Sequence, residues 1–289
     1  LLSNSLMDGL IDSHVHLDHS RYDEDREAVL DRAWAAGVRG LLSIGIGDGP
    51  ATMHQALDLA RAYADRPNTP KIWASAGIHP QEAALSDADA LASLDQLLTQ
   101  PEVIACGEIG LDYYHDDNPP RDVQTRVFRE QMEIAAARRL PILIHCRPGA
   151  AAGQDADAWS DTLTLLEEHW RPTGLGGVLH CFTGEPDHAR RALDLGFLVS
   201  FAGNLTYPSA APLRAIAQTL PLASLLVETD APFLAPVPDR GKRNEPAFVA
   251  RTAAQLAQLH GIEAAELGDA TGRNFTRFFH VTVTPADPR

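Results

Sequence analysis

Short β-branched and apolar runs alternate with amphipathic stretches of helical length from Leu10 almost to Arg273, and this alternation restricts the fold more than any other feature. The runs are Leu10 to Leu17, Gly40 to Ile46, Ile72 to Ile78, Val103 to Leu111, Pro141 to Cys146, Gly177 to Phe182, Phe197 to Ala202 and Leu225 to Thr229. Between them lie segments such as Asp23 to Ala36, Ala51 to Ala64 and Arg121 to Arg139, whose apolar positions recur at three and four residues. A strand returning after a helix runs parallel to its predecessor, so eight repeats predict a (β/α)8 TIM barrel, with an open doubly wound sheet as the runner-up. Where polar chemistry falls separates the two: a barrel collects it at the C-terminal ends of several strands, an open sheet at one switch point. No Pro, Gly or Ser-rich linker divides the chain, which predicts one domain over residues 1–289, with 1–6 as an extension.

Composition excludes several classes. With 45% hydrophobic residues a large core is available, and disorder is out. A net charge of −15 argues against a general basic surface for nucleic acid, but not against an anion site built on bound cations. The three cysteines, Cys106, Cys146 and Cys181, are widely spaced in apolar runs and predict no disulfide framework. No apolar stretch approaches the roughly 20 residues of a membrane span, so a soluble, cytoplasmic protein is expected.

The polar residues fall where a barrel requires them. The first run carries Asp12, His14 and His16 at a spacing of two, on one strand face. With 12 histidines in the chain, chance alone yields about 0.5 His-x-His pairs, so this pair signifies little by itself. The other runs, however, reach Glu108, His145, His180 and the Glu228-Thr229-Asp230 stretch. Buried runs seldom end on such groups unless something pairs them. Four histidines and two carboxylates exceed what one open ion takes, so two divalent metal ions are expected, Zn2+, Mn2+ or Mg2+, with Glu108 as the bridging carboxylate.

Alternative chemistries find little support. The only lysines are Lys71 and Lys242, which rules out a modified-lysine bridge or a Schiff base at a strand end. Cys146 and Cys181 follow expected ligands by one residue and turn to the opposite strand face, while Cys106 shares parity with Glu108 and reads as a small apolar filler. Gly45-Ile46-Gly47-Asp48-Gly49 lacks the spacing of a nucleotide fingerprint.

Several segments together resemble one family. They are Asp12-Ser13-His14-Val15-His16-Leu17, Gly77-Ile78-His79-Pro80, Gly107-Glu108-Ile109-Gly110-Leu111-Asp112-Tyr113, Pro141-Ile142-Leu143-Ile144-His145-Cys146-Arg147, His180-Cys181-Phe182-Thr183-Gly184, Glu228-Thr229-Asp230-Ala231-Pro232 and Arg243-Asn244-Glu245-Pro246. Over nearly its whole length the chain is similar to the TatD family of metal-dependent deoxyribonucleases, amidohydrolase-like TIM barrels. The resemblance implies hydrolysis of phosphodiesters in DNA, single-stranded or at 3′ termini, with His14, His16, Glu108, His145, His180 and Asp230 holding the ions. Two departures concern substrate access: a longer Ala and Gly-rich stretch over 148–157, and Gln81 where the family often carries histidine.

The expected mechanism activates a water on the cations, with Asp230 orienting it and taking its proton, and Glu108 as the second catalytic carboxylate. Two divalent ions against Glu108 and Asp230 leave the pocket at about +2 and welcome phosphate. Arg147 is expected to contact phosphate or form a rim salt bridge, His79 to touch substrate or orient a ligand, Tyr113, Tyr114 and Phe182 to stack bases or to pack, and Asn244 to bind phosphate or sugar or to cap a loop. Two rivals stay open. One is hydrolysis of an ester, such as an aminoacyl group on transfer RNA or a lactone; the other is a non-enzymatic metal-stabilised scaffold.

Overall fold

A computed structural model describes residues 9–149 and 157–283. The expected extension at 1–6 and most of the 148–157 stretch lie outside the described residues. Eight strands form one sheet in the order β1 to β8: β1 (Leu10–Val15), β2 (Val38–Ser43), β3 (Lys71–Ala76), β4 (Val103–Asp112), β5 (Ile142–Arg147), β6 (Gly177–Leu179), β7 (Leu198–Phe201) and β8 (Leu225–Val227). Helices alternate with them: α1 (Arg26–Ala35), α2 (Gln55–Ala62), α3 (Ala88–Leu97), α4 (Arg121–Arg138), α5 (Ala158–Leu165), α6 (Pro186–Asp194), α7 (Ala211–Thr219), α8 (Val249–His260) and α9 (Ala264–Phe279). Just past β8 the ladder returns to β1 through a parallel Val15 to Ala231 bridge. That return makes the fold a (β/α)8 barrel and removes the open-sheet alternative. No helix among the described residues is long and apolar enough to cross a membrane.

The described chain gathers into two compact units, residues 9–43, 59–73 and 200–283 in one and 44–58, 74–149 and 157–199 in the other. In the first, β1 and β2 pair in parallel from Leu10 with Val38 to Val15 with Ser43. Ser13 Oγ donates to Val227 O at 3.1 Å and lies 3.0 Å from Ser200 Oγ, so these two buried hydroxyls satisfy one another across the strands. Leu10, Val15, Leu41, Leu225 and Phe275 are completely buried there.

In the second unit β4 pairs with β3 and β5, and β5 with β6. Helix α4 buries Val127, Phe128, Met132 and Ala135, together with two glutamines. Gln131 closes a two-point bond on Ile78, accepting from its N–H at 2.7 Å and donating to its carbonyl at 3.0 Å. Gln124 does the same for Asp112, at 2.9 Å each way. A buried amide that satisfies both backbone groups of a residue at or just past a strand end fixes where the following side chains emerge.

One register change alters the expected side-chain directions. Cys106 pairs with Ile142 but Ile109 with Ile144, so β4 carries one extra residue across Gly107 and Glu108. Such a bulge breaks the period of two. Cys106 does not share a face with Glu108: its sulfur lies 4.0 Å from Gln131 O on α4, whereas the Glu108 carboxylate meets His145. Glu108 also sits inside β4 rather than at its end, which is Asp112. Further along, Gly110 has φ +143, and a Cβ there would collide with the His145 carbonyl oxygen; glycine is what lets β5 come this close.

Candidate metal centre

Two groups of imidazoles and carboxylates stand beyond or near the C-terminal ends of strands. In the first unit β1 delivers His14 and, one residue past its end, His16, while the chain leaving β8 delivers Asp230. Asp230 Oδ1 is 3.3 Å from His16 Nε2 and 3.7 Å from His14 Nε2, and the two rings sit edge to face with centroids 5.1 Å apart. His14 is completely buried and Asp230 is 14% exposed at its side chain, so the group faces outward through the carboxylate.

The backbone explains the placement. Asp230 adopts φ +53, a left-handed conformation that aspartate and asparagine tolerate better than most residues, and its N–H donates to His14 O at 3.0 Å. That turn ends the strand and swings the carboxylate toward the two rings. Beneath it Asp12, completely buried, accepts from Thr229 N–H at 2.9 Å, Thr229 Oγ at 2.6 Å and His14 N–H at 3.3 Å. Burial pushes the Asp12 carboxyl up to about 8, although its three donors pull the other way. Asp12 thus ties β1 to the residue before Asp230 and does not itself join the ligand group.

In the second unit Glu108 is the centre. Its Oε1 lies 2.6 Å from His145 Nδ1, 2.8 Å from His180 Nε2 and 3.7 Å from His79 Nε2. Asp112 Oδ2 stands 3.4 Å from the other ring nitrogen of His145 and accepts from Gln81 Nε2 at 2.9 Å. A carboxylate behind a histidine fixes the ring and raises its basicity as a ligand. Burial acts to raise the Asp112 carboxyl, but the His145 imidazole beside it outweighs burial and leaves the group far below its ordinary range. His145 shifts upward: burial opposes its charge, and Asp112 and Glu108 together prevail. His79 accepts from Gln81 N–H through Nδ1 at 3.2 Å, which leaves Nε2 facing Glu108.

The structure therefore brings His14 and His16 to Asp230, and His145, His180 and His79 to Glu108. Sequence reasoning placed His79 as a substrate contact or orienting residue; in space it stands beside Glu108 and His145 with donor atoms within 4.8 Å. It missed Asp112, Gln81, Gln124 and Gln131 as positioning groups. Asp112 and Gln81 were visible as polar residues four places after Glu108 and two after His79, but nothing local marked the helix glutamines.

The expected substrate contacts divide. Arg147 ends β5 and lays its guanidinium 3.7 Å from the centroid of Tyr114, an exposed ring, with its Nη1 3.3 Å from His115 Nε2. Tyr113 instead donates its hydroxyl to Asp161 at 2.9 Å and carries Arg121 over its ring at 4.4 Å. Phe182 is 1% exposed and packs on Trp159, so it offers no face to a base. Asn244 is also corrected. It is completely buried, donates to Thr229 O at 2.8 Å and Phe233 O at 2.7 Å, and accepts from Glu245 N–H at 2.9 Å. With its amide spent on backbone, it clamps the loop after β8 and has nothing left for phosphate or sugar.

The neighbours of Asn244 serve the same clamp. Arg243 binds both oxygens of Asp25 at 2.7 Å, and Arg32 reaches Glu245 at 2.7 Å and Asp25 at 3.3 Å. The Arg243 hydrogen bond, with Arg32 behind it, holds the Asp25 carboxyl down at about 2. A depressed carboxylate stabilises the fold above its unfolded pKa, and that contribution fades as pH falls through the folded value. Since Asp25 is a third exposed, screening reduces the effect. Asp25→Asn is expected to cost about 1 kcal/mol at pH 7, shrinking below pH 4 and vanishing near pH 2. Urea unfolding across that range checks it, and a difference independent of pH would refute it.

The family model described as TatD related DNase matches residues 11–280. Among curated relatives, an uncharacterized metal-dependent hydrolase of Bacillus subtilis, YabD, is 38% identical over 94% of this chain and 99% of its own. A protein of Escherichia fergusonii named 3′-5′ ssDNA/RNA exonuclease TatD is 34% identical over 94% of this chain and 100% of its own. Among solved structures, YJJV, a TatD homolog from Escherichia coli K12, superposes with a TM-score of 0.82 and 31% identity over 96% of this chain and 100% of its own.

Proposed function

Since the chain belongs to the TatD related DNase family of metal-dependent hydrolases, we propose that it cleaves phosphodiester bonds in single-stranded DNA, working from 3′ ends. The observation that carries this reading is the pair of donor groups. Nitrogen and oxygen atoms of His14, His16 and Asp230 converge in one, and those of His79, Glu108 and His145 in the other, each within 4.8 Å. Three imidazoles around one buried carboxylate have little use in a fold without a cation. The donor set fits divalent metal, and its wealth of imidazole favours Zn2+ over Mg2+.

His14, His16 and Asp230 would hold one ion, and Glu108, His145 and His180 a second. When bound, such ions acidify water and offset the charge that grows on phosphate in the transition state. The protein's own groups do the rest. Asp230, with its outward carboxylate, takes the proton of the water that attacks phosphorus in line. The opposite P–O bond breaks, and the leaving oxygen is protonated from solvent. Asp112 keeps the His145 ring oriented, and Arg147, with no carboxylate partner among the described residues, offers its guanidinium to a phosphate.

The test is protein stripped of metal, reloaded with Mg2+, Mn2+ or Zn2+, and assayed on 5′-labelled single-stranded DNA. A ladder shortening from the 3′ end is expected, with Zn2+ ahead of Mg2+. RNA, aminoacyl-tRNA and lactone arms run beside it. Ester hydrolysis without any DNA cleavage would overturn the proposal.

A further inference from the structure

Phe233 stands three residues beyond Asp230 and is 42% exposed, one of four large apolar side chains so exposed among the described residues. Its surroundings are polar and aromatic. The ring lies edge to face with His16, centroids 5.8 Å apart and planes at 72°, and with His19 at 5.6 Å and 71°. The Arg21 guanidinium is 5.8 Å from the ring centroid and has no carboxylate partner among the described residues.

The ring is also held in place. Phe233 N–H donates to Asp230 O at 2.9 Å, and its carbonyl accepts from the buried Asn244 amide at 2.7 Å. Asp230 and Phe233 are thus the two ends of one turn, clamped from behind by Asn244. An exposed phenyl ring forgoes the stabilisation that burial brings, yet here the backbone fixes it beside a candidate ligand ring.

We infer that Phe233, with Arg21 beside it, is the stacking platform for the nucleobase of the nucleotide whose phosphodiester is cut. This deepens the reading under Proposed function and rests on it. The chemistry is that of single-strand recognition: an aromatic face accepts any base, and an adjacent arginine takes a phosphate oxygen. Asn244 acts through Phe233 as a positioning residue.

Two measurements decide it. The metal-loaded protein is titrated into single-stranded DNA ending in 3′-terminal 2-aminopurine, whose emission is quenched on stacking. Wild type is expected to quench, Phe233→Ala to lose most of the quench, and Phe233→Trp to restore it. In turnover, the ratio of kcat/KM for an ordinary 3′ terminus to that for an abasic one is expected to fall about tenfold in Phe233→Ala, near the lower end for loss of one stacked base. A ratio unchanged because both substrates slow equally would mean a merely structural role and overturn the platform, as would a quench that Phe233→Ala leaves intact. Wild-type cleavage of DNA without quenching would overturn the platform alone, whereas absence of both cleavage and quenching would overturn the proposed function with it.

Discussion

Asp230→Asn is expected to lower kcat on single-stranded DNA about a thousandfold while the protein remains folded. The amide has the same volume, and asparagine tolerates the left-handed conformation at φ +53 at least as well as aspartate does. Its backbone N–H still donates to His14 O, and the Asp12 bonds that tie β1 to Thr229 are untouched. What disappears is a negative oxygen 3.3 Å from His16 Nε2, able to bind a cation and to receive a proton. Initial rates at saturating substrate, with thermal melting of both proteins, check the result. Turnover within tenfold of wild type would remove Asp230 from the role of base.

Stripping metal with a chelator is the second large effect. All cleavage is expected to stop and to return on reloading, and elemental analysis of the reloaded protein should give about two ions per chain. Each site filled at a hundred times its Kd or more adds about 3 kcal/mol to stability. For a chain of this size that corresponds to a fall in Tm on stripping of about 10 °C. The fall has a local cause. Three imidazole nitrogens crowd within 3.7 Å of one Glu108 oxygen, and His145 stands between two carboxylates, an arrangement that a cation would hold together. A stripped protein that melts unchanged and still cleaves DNA would discard the metal reading.

Much of the fold was legible in the sequence because alternation is a local signal. A period of two or of 3.6 arises from backbone geometry and needs no knowledge of distant neighbours. The helix expected at Arg121 to Arg139 appears at Arg121–Arg138, and all eight strands lie in the expected order. Strand lengths were less legible. The sixth and eighth runs end as strands at Leu179 and Val227, so His180 and Asp230 stand on the turns beyond, where backbone no longer bound by the ladder can aim them.

The donor residues were legible for a similar reason: imidazoles and carboxylates at the ends of apolar runs are anomalous wherever they occur. Their partners were not. Cys106 and Glu108 looked like companions on one face until the extra residue in β4 separated them, and register belongs to a pair of strands, not to one. Gln124 and Gln131 resemble ordinary helix residues until α4 sets them against strand ends. Asn244 looked like a ligand for substrate, and only its burial and three backbone partners show that it is a clamp. The sequence by itself thus determined the order of elements and the chemistry available, since spacing and residue type suffice for both. Only the tertiary structure decided which donors meet and which polar groups are already spent, because hydrogen bonds and burial depend on residues far away in the chain.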